Sequence, residues 1–391
     1  MERILIGLPD FTIKKIVSVQ PAVIEVEYTG QPACPHCQSR ALRLKDSFWR
    51  FIRNVPFRGR TSLLHVRCYK HLCRDCGRYF NTRLPGVKKW GRSTELLKKE
   101  VFRAYNNGYS NKAIARENSI GVASAERYYH QVITNKASHR KNKIWPRILG
   151  IDEHRFTRRK GFLTTFCDLG KHKVLDIAEG RSELELQTFL NSMKGRKKVE
   201  VVCIDLNSAY RKMVRSWFPN ARIVTDRFHV VRLVNLHFLK ACKLIDEEHL
   251  AYGRGGLMRL LQIRRKRLSP KQKLKLQKYL HSQPVIAGMY DFCQGLNDLL
   301  RVKGTNQTAC RKHVAELLEK IAQLKQAPFA PLKTLGRTLY SWREEVACMF
   351  RFARSNGITE GFHRKMKLIQ RRAYGFRNFE NYRLRVKVLC G

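Results

Sequence analysis

The feature that most restricts what this chain can fold into is a pair of thiol knuckles, Cys34-Pro35-His36-Cys37 and Cys73-Arg74-Asp75-Cys76. Two residues between thiols let both sulfurs reach one tetrahedral ion, and a second such pair closes the shell. The sequence around and between them is strand-like: Val23 to Tyr28 and Leu63 to Tyr69 alternate apolar with polar residues. Residues 1–90 therefore read as a β-rich zinc ribbon, with Gly77 permitting a tight turn after the second knuckle. The intervening stretch is longer than in a minimal ribbon, so Cys68 or His71 stays open as a substitute ligand. A closed four-ligand site is structural: it folds its domain and does not catalyse. Twelve Cys, with no secretory signal in Met1 to Gly7, point to a reducing cytoplasm where paired thiols more often hold metal than form disulfides. The other Cys read as buried small hydrophobes.

From Ser93 to about Lys136 the pattern turns helical. Leu96 to Tyr105 is one helix, Ser110 caps a second over Asn111 to Glu117, and after a turn at Gly121 a third covers Val122 to Val132. A short helix, a Gly turn and a polar following helix make a DNA-reading helix-turn-helix, here residues 91–140. Ser124, Arg127, Tyr128 and Gln131 are its candidate DNA contacts, and Ile114, Val122 and Ala125 its packing face. A generic three-helix bundle is the alternative.

After Pro146 come strands at 147–152, 162–168, 174–178, 199–205 and 221–226, with helices at 182–193 and 208–218 between them. Three strands, a helix, a strand, a helix and a strand make a mixed α/β unit over 141–230. Residues 231–345 are basic and helical throughout, and 346–391 hold one more basic helix. The fold class is multidomain α+β.

Charge supplies the chemistry. Lys and Arg number 78 against 31 Asp and Glu, a formal net charge of +47, which calls for a polyanionic partner such as nucleic acid. A hydrophobic share of 43% excludes a disordered basic tail, and no apolar run is long enough to span a membrane. In such a background each acid needs a reason. Asp152 ends the first strand of the α/β unit and Asp205 the fourth, so two carboxylates can share Mg²⁺. After Glu345 only Glu360 and Glu380 remain, and Glu360 opens a helix that Asn356 or Thr359 can cap. The bland alternatives are strand-end turns for the two Asp and an i,i+4 pair with Arg364 for Glu360. Glu153 adjoins Asp152 and points to the opposite face. Trp217 and Trp342 can stack on an unpaired base or simply pack in the core.

These residues carry a family resemblance. Gly150-Ile151-Asp152-Glu153, Cys203 to Tyr210, Pro219-Asn220-Ala221, Asp226 to Val231, Thr359-Glu360-Gly361 and Arg371 to Phe379 resemble the ISL-three family of bacterial insertion-sequence transposases. The resemblance covers essentially the whole chain. It implies a zinc ribbon, a helix-turn-helix and an RNase H-like DDE core, with Asp152, Asp205 and Glu360 as its metal-binding triad. The helical block before the Glu-bearing helix is then an insertion. Asp226 and His229 also match; Asp226 is a supporting carboxylate or alternative ligand, and His229 a DNA contact or packing histidine. The resemblance further implies Mg²⁺ or Mn²⁺ at the triad, structural Zn²⁺ in the ribbon, and a bacterial, nucleoid-associated cytoplasmic protein without membrane contact. Its partners would be the element's terminal inverted repeats and target duplex DNA, engaged by at least a dimer. Arg364, Lys367 and Arg371 on one helix face are candidate phosphate clamps. An RNase H-like nuclease or resolvase, and a domesticated DNA-binding regulator, are the competing functions.

Overall fold

The computed structural model describes residues 6–57, 59–138, 144–157, 161–251, 256–304, 306–352 and 357–391, so Asn356 lies outside the described residues. Two short strands, β1 (Phe11–Val19) and β2 (Ala22–Tyr28), precede the first knuckle. Between the knuckles runs a long hairpin, β3 (Leu42–Phe57) out and β4 (Arg60–Cys73) back, in antiparallel register from Leu42 opposite Cys73 to Phe57 opposite Arg60. That hairpin accounts for the long intervening stretch, because it returns the second knuckle to the first. With β5 (Tyr79–Asn81) on β4, the five strands form one sheet of order β1-β2-β4-β3. Its inner face, with Phe11, Val26, Ile52, Leu64, Val66 and Cys68, packs on Ile6, Leu8 and Leu84.

Three helices follow: α1 (Glu95–Asn106), α2 (Asn111–Glu117) and α3 (Val122–Ser138). Thr94 and Ser110 cap the first two, each side chain accepting from the N–H three residues on. Ile114 and Ala125 are fully buried between these helices as the pattern predicts, but Val122 is 45% exposed. As the first residue of α3 it stands past the end of the packed face, which continues instead through Tyr129, Val132 and Ile133.

The chain divides into two compact units, 1–141 with 367–388 and 142–366 with 389–391. Residues 367–388 thus cluster with the first unit. The physical reason lies in the helix Phe379–Cys390. Its Arg385 sits 4.4 Å from the Tyr105 ring and 4.8 Å from the Tyr129 ring, and Val388 joins the core of the three-helix bundle.

In the second unit, β6 (Ile148–Thr157), β7 (Gly161–Asp168) and β8 (Lys173–Glu179) form an antiparallel meander. On its β6 edge, β9 (Val201–Ile204) and β10 (Arg222–Thr225) add in parallel, giving the order β10-β9-β6-β7-β8. Helix α4 (Glu183–Asn191) connects β8 to β9, α5 (Ser208–Trp217) connects β9 to β10, and α6 (Arg227–Ile245) leaves β10. From there to Arg351 every described element is helical, as the sequence predicts. The helical block shares one hydrophobic core with the sheet: Leu149, Phe166, Val202 and Val224 cluster with Phe238, Tyr290, Leu339 and Phe350.

One buried ion pair ties that block to α5. Glu345 is 3% exposed and accepts two hydrogen bonds from Arg211, at 2.6 and 3.0 Å, and one from Arg215 at 3.1 Å. Trp342, one of the candidate base-stacking residues, lies buried under the Arg211 guanidinium at 4.7 Å. Removing one partner of a buried pair strands the other charge. Glu345→Ala should therefore cost about 3 kcal/mol, read as a lower chemical-denaturation midpoint, whereas an unchanged midpoint would show the pair to be energetically idle.

Candidate functional site

Strand register brings the acids of the second unit together. In the parallel ladders Gly150 lies level with Cys203, and Cys203 with Val224. Two residues further on, the same row reads Asp152, Asp205 and Asp226 on three neighbouring strands. Strands lie about 4.8 Å apart and alternate residues share a face, so the three carboxylates converge at the strand ends. Asp226 extends the ladder, its N–H donating to the Ile204 carbonyl at 2.8 Å, and its side chain caps α6 by accepting from the Phe228 N–H. Asp152 does not end its strand as the sequence suggests: β6 outruns β9 and continues to Thr157 along β7.

Like charges this close need compensation. Burial and the neighbouring Asp205 push the Asp152 carboxyl up to about 7, although the Glu153 N–H donates to it at 2.8 Å. His229, on the first turn of α6, approaches Asp205 Oδ2 at 3.0 Å through Nδ1 and Asp226 Oδ2 at 3.9 Å through Nε2. The hydrogen bond to Asp205 raises His229 above the usual imidazole value against the opposing effect of burial. Asp205 Oδ1 is buried with no hydrogen-bond partner. Asp205, Asp226 and His229 offer ligand atoms within 4.8 Å of one another. A carboxylate oxygen left bare beside two further carboxylates suits a hard divalent cation.

The helix Gly357–Arg372 brings His363 to the same row. Its Nδ1 lies 3.5 Å from Asp152 Oδ2, and its Nε2 lies 3.2 Å from Thr165 Oγ1, which also meets His154 Nδ1 at 3.0 Å. Glu360, one turn earlier, is half exposed and pairs with Arg364 at 2.8 Å. His363 escaped the sequence reading; its signal was its place three residues after Glu360, on one helix face. Arg364, Lys367 and Arg371 are all exposed along that helix. Trp217 donates its indole N–H to Glu183 at 3.0 Å and packs against the core.

In the first unit the four knuckle thiols form a second cluster, all within 4.8 Å of one another. Cys34 and Cys76 Sγ are 3.6 Å apart, Cys37 and Cys73 3.5 Å, close to the roughly 3.8 Å edge of a tetrahedron with Zn–S of about 2.3 Å. Gln38 and Gly77, which follow the two knuckles, have φ of 62° and 67°. Burial works against the Cys34 thiolate, yet the Cys37 and His36 N–H groups and the Cys76 thiol hold it at about 6. The Cys76 N–H lowers Cys73 likewise, so each knuckle carries one readily ionised thiol. Such a cluster is compatible with zinc. Cys68 is instead buried in the sheet core and His71 meets Thr82 Oγ1 at 3.2 Å.

The ISL3-type DDE family model, described as Transposase, matches residues 149–386, from β6 through the C-terminal helix. The chain belongs to the ISL3 transposase family. It is also 24% identical over 368 residues to the transposase for insertion sequence element IS1001 of Bordetella parapertussis, covering 90% of this chain and 87% of that protein.

In this transposase, the four residues read as DNA contacts occupy unequal positions on α3. Arg127 is exposed, and donates to the half-buried Ser124 hydroxyl at 3.1 Å. Tyr128 hydrogen-bonds Ser93 at 2.6 Å, tying α3 to the start of α1. Gln131 has a buried Oε1 without a hydrogen-bond partner. Among the described residues no helix is long and apolar enough to cross a membrane.

The raised Asp152 carboxyl has a stability consequence. An unfolded Asp loses its proton near pH 4, whereas the folded one keeps it to about 7. Between those values the native state holds the extra proton, so its stability falls as pH rises from 4 to 7. Without magnesium or manganese, Asp152→Asn should thus gain on the order of 2–4 kcal/mol at pH 8 and almost nothing at pH 4. Denaturation curves at the two pH values test this; a gain independent of pH would refute the raised carboxyl.

Proposed function

We propose that the protein is a DDE transposase that binds the terminal inverted repeats of its insertion sequence and cleaves and transfers DNA strands with divalent metal. The observation that carries this reading is the row of Asp152, Asp205 and Asp226 with its unpartnered Asp205 oxygen. The strand order, an antiparallel meander extended by two parallel strands, supports an RNase H-like core.

Asp152 and Asp205 would hold Mg²⁺ or Mn²⁺, with Glu360 as the third carboxylate of the triad. A bound pair of such ions supplies a nucleophilic water and stabilises the leaving oxygen. The protein's own share is positioning. His229 orients Asp205, Asp226 fixes the start of the His229 helix, and His363 braces Asp152. Water then displaces the 3′-oxygen of a phosphodiester, which leaves as a 3′-hydroxyl. That hydroxyl attacks a target phosphodiester in line, joining to its phosphorus as the target strand's own 3′-oxygen leaves as a hydroxyl, so no bond to the protein forms. Arg364, Lys367 and Arg371 would hold phosphates beside the helix that carries Glu360. Arg127, Ser124, Tyr128 and Gln131 would contact the terminal repeats from α3, Arg127 being exposed there. The four thiols would hold structural Zn²⁺ that folds the N-terminal sheet. Pairing two ends of one element requires at least two copies of the chain.

A strand-transfer assay with Mg²⁺ on DNA carrying the element's ends tests the chemistry. Asp205→Asn and Glu360→Gln should each reduce joining at least about a hundredfold, the scale of a lost metal ligand, with end binding retained. Should Asp226→Asn abolish joining while Glu360→Gln joins normally, the third ligand is Asp226. Cleavage without any joining would make the protein a nuclease. Cys73→Ser should lose the bound zinc and the N-terminal sheet; normal zinc content in that variant would refute the four-thiol site.

A further inference from the structure

The outer face of the antiparallel β3–β4 hairpin breaks the rule that the solvent side of antiparallel strands is polar. Register places Trp49 opposite Arg67 and Phe51 opposite His65 on that face, back to back with the buried Ile52 and Leu64. Trp49 is 46% exposed and Phe51 58%. The His65 ring stacks on both, with centroids 4.2 Å from Trp49 and 4.5 Å from Phe51 and interplanar angles of 21° and 16°. Arg67 lies 6.0 Å from the Trp49 ring and 5.8 Å from the Tyr69 ring, carrying the π surface further along β4. The surroundings are strongly basic: from Leu42 to Cys73 there are eight Lys and Arg against one acid, Asp46. Glu25, beside His65, is already paired with Lys15 at 3.4 Å.

We propose that this face is a stacking platform for unpaired nucleobases, gripping a single DNA strand through Trp49 and Phe51. A duplex hides the faces of its bases, whereas an unpaired strand offers both base faces and phosphates. Solvent-exposed aromatic rings in a basic field complement that pair of chemistries. A protein partner would need no such excess of positive charge. The inference rests on DNA as the substrate of the proposed function and adds a strand-selective contact outside the carboxylate row and the helix-turn-helix.

The test compares the full chain with Trp49→Ala/Phe51→Ala, measuring anisotropy with a strand of about 16 thymidines, the same strand made abasic, and a duplex of equal length. The expected result is a loss of about tenfold or more for the thymidine strand, with abasic-strand and duplex binding unchanged. The ratio should persist at high salt, because stacking is not screened as phosphate contacts are. Trp49→Phe should retain most of the binding, and unaltered zinc content shows that the sheet is intact. Equal affinity of variant and parent for the thymidine strand, or parallel losses on all three probes, overturns the proposal. So does a change in oligomeric state, which would make the face a contact between copies. Failure of the underlying DNA reading is distinct: the unaltered protein would then bind none of the probes.

Discussion

Crowding carboxylates at one end of a sheet is the constraint on which the second unit depends. Three acids level with one another on adjacent strands repel, and burial of Asp152 makes the repulsion worse. The fold answers with histidines brought from separate helices, His229 on α6 and His363 on the helix that carries Glu360. The rest follows from the need to bring them. Helix α6 has to start at the end of β10, and the late helix has to return after more than a hundred residues of helical chain.

That return explains why the helical block is no separate domain. Its helices cover the sheet edge and share one core with it, and Glu345 clamps the end of the block to α5 through Arg211. A loosely attached helical block would leave the position of the final helix undetermined. A packed one fixes the late helix where its His363 meets Asp152.

Much of this was legible in the sequence, for identifiable reasons. The thiol knuckles, the cap Ser110 and the acid Asp205 just past its strand end are local signals whose spacing carries physical meaning. What escaped depends on contacts between distant segments. Val122 fits the apolar period but lies past the packed face. Cys68 and His71 have the chemistry of ligands but face the core and Thr82. Nothing around Arg385 announces that it belongs with Tyr105 and Tyr129. The outward aromatics Trp49 and Phe51 alternate with basic residues as any strand can, and only register showed on which face they stand.

Register is also where the thiol cluster acts at a distance. A strand of β3's length extends roughly 50 Å, and a slip of a single residue would exchange its two faces, turning Ile52 to water and Trp49 inward. The hairpin has Cys73 at its open end, opposite Leu42. Any slip would pull that thiol out of reach of Cys34 and Cys37. With a metal bound, the four-thiol cluster would work as an alignment pin: by admitting only one pairing at the base of the hairpin, it would decide which side chains the far half shows to the outside.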